Sequence, residues 1–304
     1  MINSEFSNLL ADPTIQFTII LGSGFHTQAL ERNSILSSWS TLLEKVSKDV
    51  KLTKDLHLDF ERIIASKKRE NQDSSKAERE LIACLTEDLK VEQKAVLAEY
   101  SNCYPLKIFN PKKVTDVISL NFDQVPEKLL RNQKGTRLSG FVNKSSFSER
   151  SKNSYPYLST RYRLMDFGLG QGEIRFWHPH GVIENNKSIV LGLHKYSNLV
   201  KTTIKIRDHH LQNKKAGGSD LTWYQTLLTN PVLVLGAGLS SNEWDMWFAL
   251  TSRNRANKIS PPIFQMRECE CQKDTRHEWL QPLFTGLTFD EQWKELEKLM
   301  NESK

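Results

Sequence analysis

The sequence predicts an α/β protein in which a doubly wound parallel sheet carries an inserted helical section. Three observations predict it. Short continuous apolar runs recur along the 304 residues, glycine or polar turns bound them, and helical patterns fill the longer intervals. A strand covered on both faces is apolar throughout, whereas a half-solvated strand alternates, so continuous runs point to a sheet with helices on both sides.

Taken in order, strands are expected at 16–21 (QFTIIL), 114–120 (VTDVISL), 173–178 (EIRFWH), 188–193 (SIVLGL), 231–236 (PVLVLG) and 261–266 (PPIFQM). Between the first two, residues 38–100 place Leu42, Leu43 and Val46, then Leu81, Ile82 and Leu85, at helical spacing. That section reads as an insertion within a single domain spanning 1–304. Its charged middle, 66–80, is expected to be a solvated helix end and loop. Residues 143–160 and 201–220 are rich in Ser, Lys, Asn and Gly and predict surface loops. Thr288 stands three residues before Glu291, with Trp293, Leu296 and Met300 at helical intervals beyond, which predicts a capped helix docking within 280–304.

The totals exclude several classes. Apolar content of 38% with 26% charged residues describes a foldable chain with a well-solvated surface. No apolar run approaches the ~20 residues that span a bilayer, and the first residues lack a secretory signal's basic start and apolar block, so a cytoplasmic protein without membrane contact is expected. Cys84, Cys103, Cys269 and Cys271 form no C-x-x-C pair, which argues against a zinc ribbon or a disulfide framework. The net charge of +6 suits an anionic small molecule, an acidic partner or nucleic acid alike. The basic segments around Arg150 and Arg163 and around Lys201 and Lys215 are interrupted by Glu149 and Asp208 and carry no aromatic platform, which argues against direct nucleic-acid binding.

Four segments are candidates for chemistry. In TIILGSGFHTQAL a strand runs into Gly22, Ser23 and Gly24, where the backbone can approach a phosphate at a helix start; a tight structural turn is the alternative. Asn121 and Asp123 follow directly on a buried strand, at the carboxyl end where open parallel sheets bind ligands; side chains bonding their own backbone are the alternative. In RFWHPHGV, Pro179 ends a strand and Gly181 leaves the backbone uncrowded, exposing His180 as a candidate base. His178 shares the parity of Ile174 and Phe176 and reads as a hydrogen-bonded supporting residue, and neither H-x-H nor C-x-C has the spacing of a structural metal site. In VLVLGAGLSSNEWDMWFAL a second strand enters Gly236, Ala237 and Gly238, and two such turns suit a dinucleotide. Trp244, Trp247 and Phe248 are expected to pack the following helix on the sheet.

The order of these pieces resembles the NAD-binding core of the sirtuin (SIR2) family. GSGFH is similar to its G-A-G-x-S loop, NFD to the end of T-Q-N-I-D, HG to its histidine-glycine pair and GAGL to G-T-S-L, over about residues 16–250. The chain departs from the deacylases in lacking two C-x-x-C pairs and a G-I-P-D-F-R loop. In that it resembles the SIR2-like domains of bacterial anti-phage defence systems, which have no zinc module, carry a helical insertion and hydrolyse NAD.

The resemblance implies a Rossmann-like fold and an NAD hydrolase that depletes NAD during abortive infection, with NAD as substrate and no metal. It implies that Gly22, Ser23 and Gly24 hold the diphosphate, with His26 where the family has serine, and that Gly236 and Gly238 border the adenosine ribose. Asn121 would position water or a ribose hydroxyl, Asp123 would bind the nicotinamide carboxamide, and His180 would be the general base. It further implies control by a homo-oligomer or by a sensor partner, whether a nucleotide-processing enzyme, an ATPase or an Argonaute-like protein. ADP-ribosyl transfer or deacylation, and nucleotide sensing without turnover, are the alternatives. The chemistry is consistent: nicotinamide departs NAD as a neutral molecule, so the site needs a positioned oxygen nucleophile and a base, not a pair of carboxylic acids.

Overall fold

In the computed structural model, residues 1–30, 34–47, 50–53, 55–69, 73–132, 136–138, 159–164, 172–212, 223–239, 243–256, 260–267 and 279–303 are described. Helix α1 (Ser4–Ala11), capped by Asn3, leads into strand β1 (Phe17–Leu21). Helices α2 (Trp39–Ser47), α3 (Leu56–Arg69) and α4 (Ser74–Glu99) fill the interval before β2 (Val114–Ser119) and α5 (Val125–Asn132). Strands β3 (Thr136–Leu138), β4 (Ser159–Leu164) and β5 (Gly172–Trp177) follow, then α6 (Leu193–Gln212) and α7 (Trp223–Thr229). The chain closes with β6 (Val232–Leu235), α8 (Trp244–Ala256), β7 (Ile263–Gln265), β8 (Gln281–Pro282) and α9 (Phe289–Glu302).

Six strands run parallel in the order β5-β2-β1-β6-β7-β8, and β4 and β3 extend the β5 edge antiparallel. The chain builds outward from β1 through β2 to β5, then returns to place β6 on the other side of β1. This is the Rossmann-like arrangement, and its switch point lies between β1 and β6. Although the strands are mostly apolar on both faces, their residues still sort by parity. Ile19, Leu21, Val117, Phe176, Leu233 and Phe264 pack in one core with α1, the helices of 39–99 and α9; Ile20, Ile118, Trp177, Val234 and Ile263 pack in a second with α7 and α8. Both faces of the sheet are therefore covered.

Three expectations fail. Trp244, expected to pack α8 on the sheet, is 65% exposed. Residues 188–193 are not a strand: a short 3-10 turn at Asn186–Ser188 leads through buried Ile189, Val190 and Leu191 to Gly192, whose φ of +88° redirects the chain into α6. These residues are apolar because they lie beneath the His180 turn, where the Val190 amide donates to the His180 carbonyl at 2.9 Å. The supposed loop at 201–220 is helix as far as Gln212, because Tyr196, Leu199 and Thr203 form a buried stripe in an otherwise polar sequence. Of the other supposed loop, 143–158 lies outside the described residues, and 159–160 open β4.

The charged run at 66–80 spans the end of α3 and the start of α4, with Asp73 capping the latter through the Ser75 amide; 70–72 lie outside the described residues. No described helix is long and apolar enough to cross a membrane. At the C-terminus, Thr288 and Glu291 form the reciprocal capping box, and Trp293, Leu296 and Met300 are fully buried. Removing the cap in Thr288→Ala is expected to cost about 1 kcal/mol in chemical denaturation, with the denaturant slope unchanged.

Candidate active site at the sheet rim

The four candidate segments emerge from four adjacent strands, β5, β2, β1 and β6, at their carboxyl ends. Backbone hydrogen bonds continue from the ladder into the loops. The Leu120 amide donates to the Leu21 carbonyl at 2.9 Å, the Gly22 amide to the Leu235 carbonyl at 3.0 Å, and the Ile183 amide to the Phe122 carbonyl at 2.9 Å. Segments more than 200 residues apart in sequence therefore meet at one rim.

At the switch point the two glycine turns touch each other. The Gly24 amide donates to the Gly236 carbonyl at 2.8 Å, and a Cβ on Gly22 would lie 2.5 Å from that same oxygen. Gly236 sits at φ +62°, with a would-be Cβ 2.6 Å from the Phe25 nitrogen. The first requirement these glycines meet is thus the approach of one loop to the other. Ser23 and Gly24 are half-buried at the rim, and Gly238 is exposed with open space where a side chain would stand.

His26 and Asp123 turn inward. His26 is fully buried, its Nε2 3.0 Å from Asp123 Oδ2 and its Nδ1 3.1 Å from the Tyr104 hydroxyl. The other Asp123 oxygen accepts the Val125 amide at 3.0 Å and so caps α5. Burial alone would raise the Asp123 pKa, but His26 and the amide hold it below the ordinary carboxylate value. This pair ties the first glycine turn to the loop that carries Asn121.

Asn121 is different. It is 2% exposed, yet neither Oδ1 nor Nδ2 has a hydrogen-bond partner among the described residues. A buried amide left unpaired costs about 1–3 kcal/mol, and both polar atoms of this side chain are open to a further partner. It stands next to Leu120, whose carbonyl lies 3.3 Å from His180 Nδ1. The imidazole therefore contacts the backbone of the loop that carries Asn121.

His180 follows Pro179 in a turn closed by the Gly181 amide on the His178 carbonyl at 3.1 Å. Gly181 has φ +93° and is pressed against Ser188, leaving no space for a side chain. The His180 side chain is 13% exposed, with Nε2 3.0 Å from Asp245 Oδ2. Asp245 is itself gripped: its Oδ1 accepts the Tyr196 hydroxyl at 2.5 Å, and its amide donates to the same hydroxyl at 3.2 Å. Burial pulls the His180 pKa down, but Asp245 more than offsets it and the net shift is upward; His180 and Tyr196 in turn hold Asp245 down against burial. His57, from α3, stacks on Tyr196 with ring centroids 4.0 Å apart. Its pKa falls to about 4, first through burial and then through the neighbouring His180, so His57 is neutral at pH 7.

His178 behaves as its parity predicts: it is buried with Nε2 2.5 Å from Glu127 Oε1, and Glu127 raises its pKa against burial. The two histidines of H-P-H thus face different acids. Cys269 and Cys271 lie outside the described residues, and among the described residues no three His, Cys, Asp or Glu are grouped to hold a metal ion.

Asp245, Tyr196 and His57 are the site residues that sequence reasoning missed. Asp245 left a signal: one turn before Ala249, it puts a carboxylate on the buried stripe of α8. Tyr196 and His57 left none, since only the tertiary fold brings α3 and α6 to the rim. No protein-family model matches the sequence, and no curated protein matches it. What the rim does must be read from its side chains.

Proposed function

We propose that this rim hydrolyses the nicotinamide–ribose bond of NAD. The observation that carries the reading is the unpaired, buried Asn121 carboxamide, adjacent in sequence to the Leu120 carbonyl that faces an imidazole held by a buried carboxylate, at the carboxyl ends of β2 and β5 next to the switch point of a Rossmann-like sheet. Asn121 binds the attacking water or a hydroxyl of the nicotinamide ribose. A water oxygen bonds to the anomeric carbon as the C–N bond breaks, the electron pair leaves with nicotinamide, and His180 takes one water proton. The products are nicotinamide, ADP-ribose and a proton. Ser23, Gly24 and Gly238 border the diphosphate and the adenosine ribose, and no step requires a metal.

On this reading the chain is the NAD-depleting effector of an anti-phage system, working in the cytoplasm. A constitutive NAD hydrolase would kill its host, so activity is gated by self-assembly or by a sensor partner.

Incubating the purified protein with NAD, alone and with the products of neighbouring genes, and resolving products by mass tests the reading. Nicotinamide and ADP-ribose are expected in equal amounts. Asn121→Ala is expected to lower the rate about 100-fold. Because it also removes an unpaired buried amide, its Tm should stay level or rise, which separates lost function from lost fold. Absence of nicotinamide under every condition would sink the proposal.

A further inference from the structure

In the resting arrangement both ring nitrogens of His180 face oxygen acceptors: Nε2 the Asp245 carboxylate at 3.0 Å, Nδ1 the Leu120 carbonyl at 3.3 Å. An imidazole that donates from both nitrogens is an imidazolium and has no lone pair for a proton. To act as a base it must give up one contact, and the two are unequal. The Asp245 bond is charge-assisted and made to a fully buried carboxylate, and Asp245 is fixed from α6 by Tyr196. The Leu120 contact is longer, and its acceptor is uncharged.

We propose that Asp245 is a positioning residue that holds His180 in its Nε2–H form, so that Nδ1, on the side of Leu120 and Asn121, is the nitrogen that takes the proton. Tyr196 serves this by clamping Asp245, and the ring of His57 closes the outer side of Tyr196. The helical section between β1 and β2 thereby reaches the base through α3. The groups facing His180 are Asp245 and Glu243 from the α8 side, Tyr196 from α6 and neutral His57 from α3. The two carboxylates raise its pKa, and His57, the cation-forming neighbour among the described residues, is uncharged above about pH 4.

The sign follows. The working base is the neutral ring, so activity is lost as pH falls through a value above the ordinary histidine range. Replacing the Asp245 charge moves that acid limb to lower pH. The inference rests on the NAD reading for its catalytic meaning, but its structural content does not.

The test uses the full chain labelled with ¹⁵N-histidine, with His180→Ala assigning the resonance among the eight histidines. In the wild type, the neutral form of His180 should be the Nε2–H tautomer. In Asp245→Asn, its titration midpoint should fall by a pH unit or more, kcat should fall about 100-fold with KM little changed, and the acid limb should follow the midpoint. Tyr196→Phe should move all three in the same direction by less. An Nδ1–H tautomer in the wild type, or an unmoved midpoint in a folded Asp245→Asn, overturns the inference even if nicotinamide is released. A shifted midpoint with no nicotinamide from the wild type leaves the pairing standing and removes the NAD reading.

Discussion

His180→Ala is expected to lower nicotinamide release by about 10²–10⁴-fold, the range a positioned general base supplies. The substitution takes away the one imidazole that meets both the Asn121 loop and Asp245. It also leaves a buried carboxylate without its cation, an arrangement that unfolds some proteins. Asp245 keeps the Tyr196 hydroxyl, however, and with its charge partner gone it can take up a proton. The variant should therefore fold with a lowered Tm and a near-dead rate. Loss of rate in a variant whose thermal transition persists locates the defect in chemistry.

Gly236→Ala is expected to destabilise the whole molecule by about 3 kcal/mol or more. The position has φ +62°, where an alanine costs about 1–2 kcal/mol, and its Cβ would fall 2.6 Å from the Phe25 nitrogen and 2.8 Å from the Gly24 carbonyl carbon. Backbone cannot rotate away as a side chain can, so overpacking adds about 1–3 kcal/mol. A Tm lowered by about 5 °C or more should appear in a thermal scan. Gly238→Ala is the contrasting case two residues on, with nothing within 4 Å of the new methyl, and should change stability by no more than about 0.5 kcal/mol. If both variants melt like the wild type, the two turns do not meet as described.

The contrast explains which parts of the site the sequence could reveal. A glycine pair after a strand is legible because few other residues tolerate that turn, but the sequence does not say whether the free space serves a phosphate or a second loop. Here, at Gly22, Gly24 and Gly236, the neighbouring loop occupies it. Asn121 and His180 were legible because polar residues at the end of a buried strand must lie at a rim. Asp123 and His26 carried the same signal yet turned inward to each other, a choice set by Tyr104 and by the cap on α5, both tertiary.

The fold was legible for a related reason. Strands covered on both faces are apolar whatever their neighbours, so β1, β2, β5, β6 and β7 stand out, while apolar 188–193 misleads because burial without a ladder has the same composition. The two-residue β8 is too short to leave a pattern, and the antiparallel pair β3 and β4 falls in a polar stretch. Helix α6 was hidden by its many Lys, Thr, His and Asp residues, since only a narrow stripe of it is buried.

A crystal structure of His180→Ala bound to NAD is the most direct test of the claim that these loops converge on one sugar. The nicotinamide ribose should lie with its anomeric carbon between the Asn121 carboxamide and the space left by the imidazole, and Asn121 should there hydrogen-bond the sugar or a water beside it. NAD seated on another face, or with its nicotinamide ribose directed away from Asn121, would contradict the account.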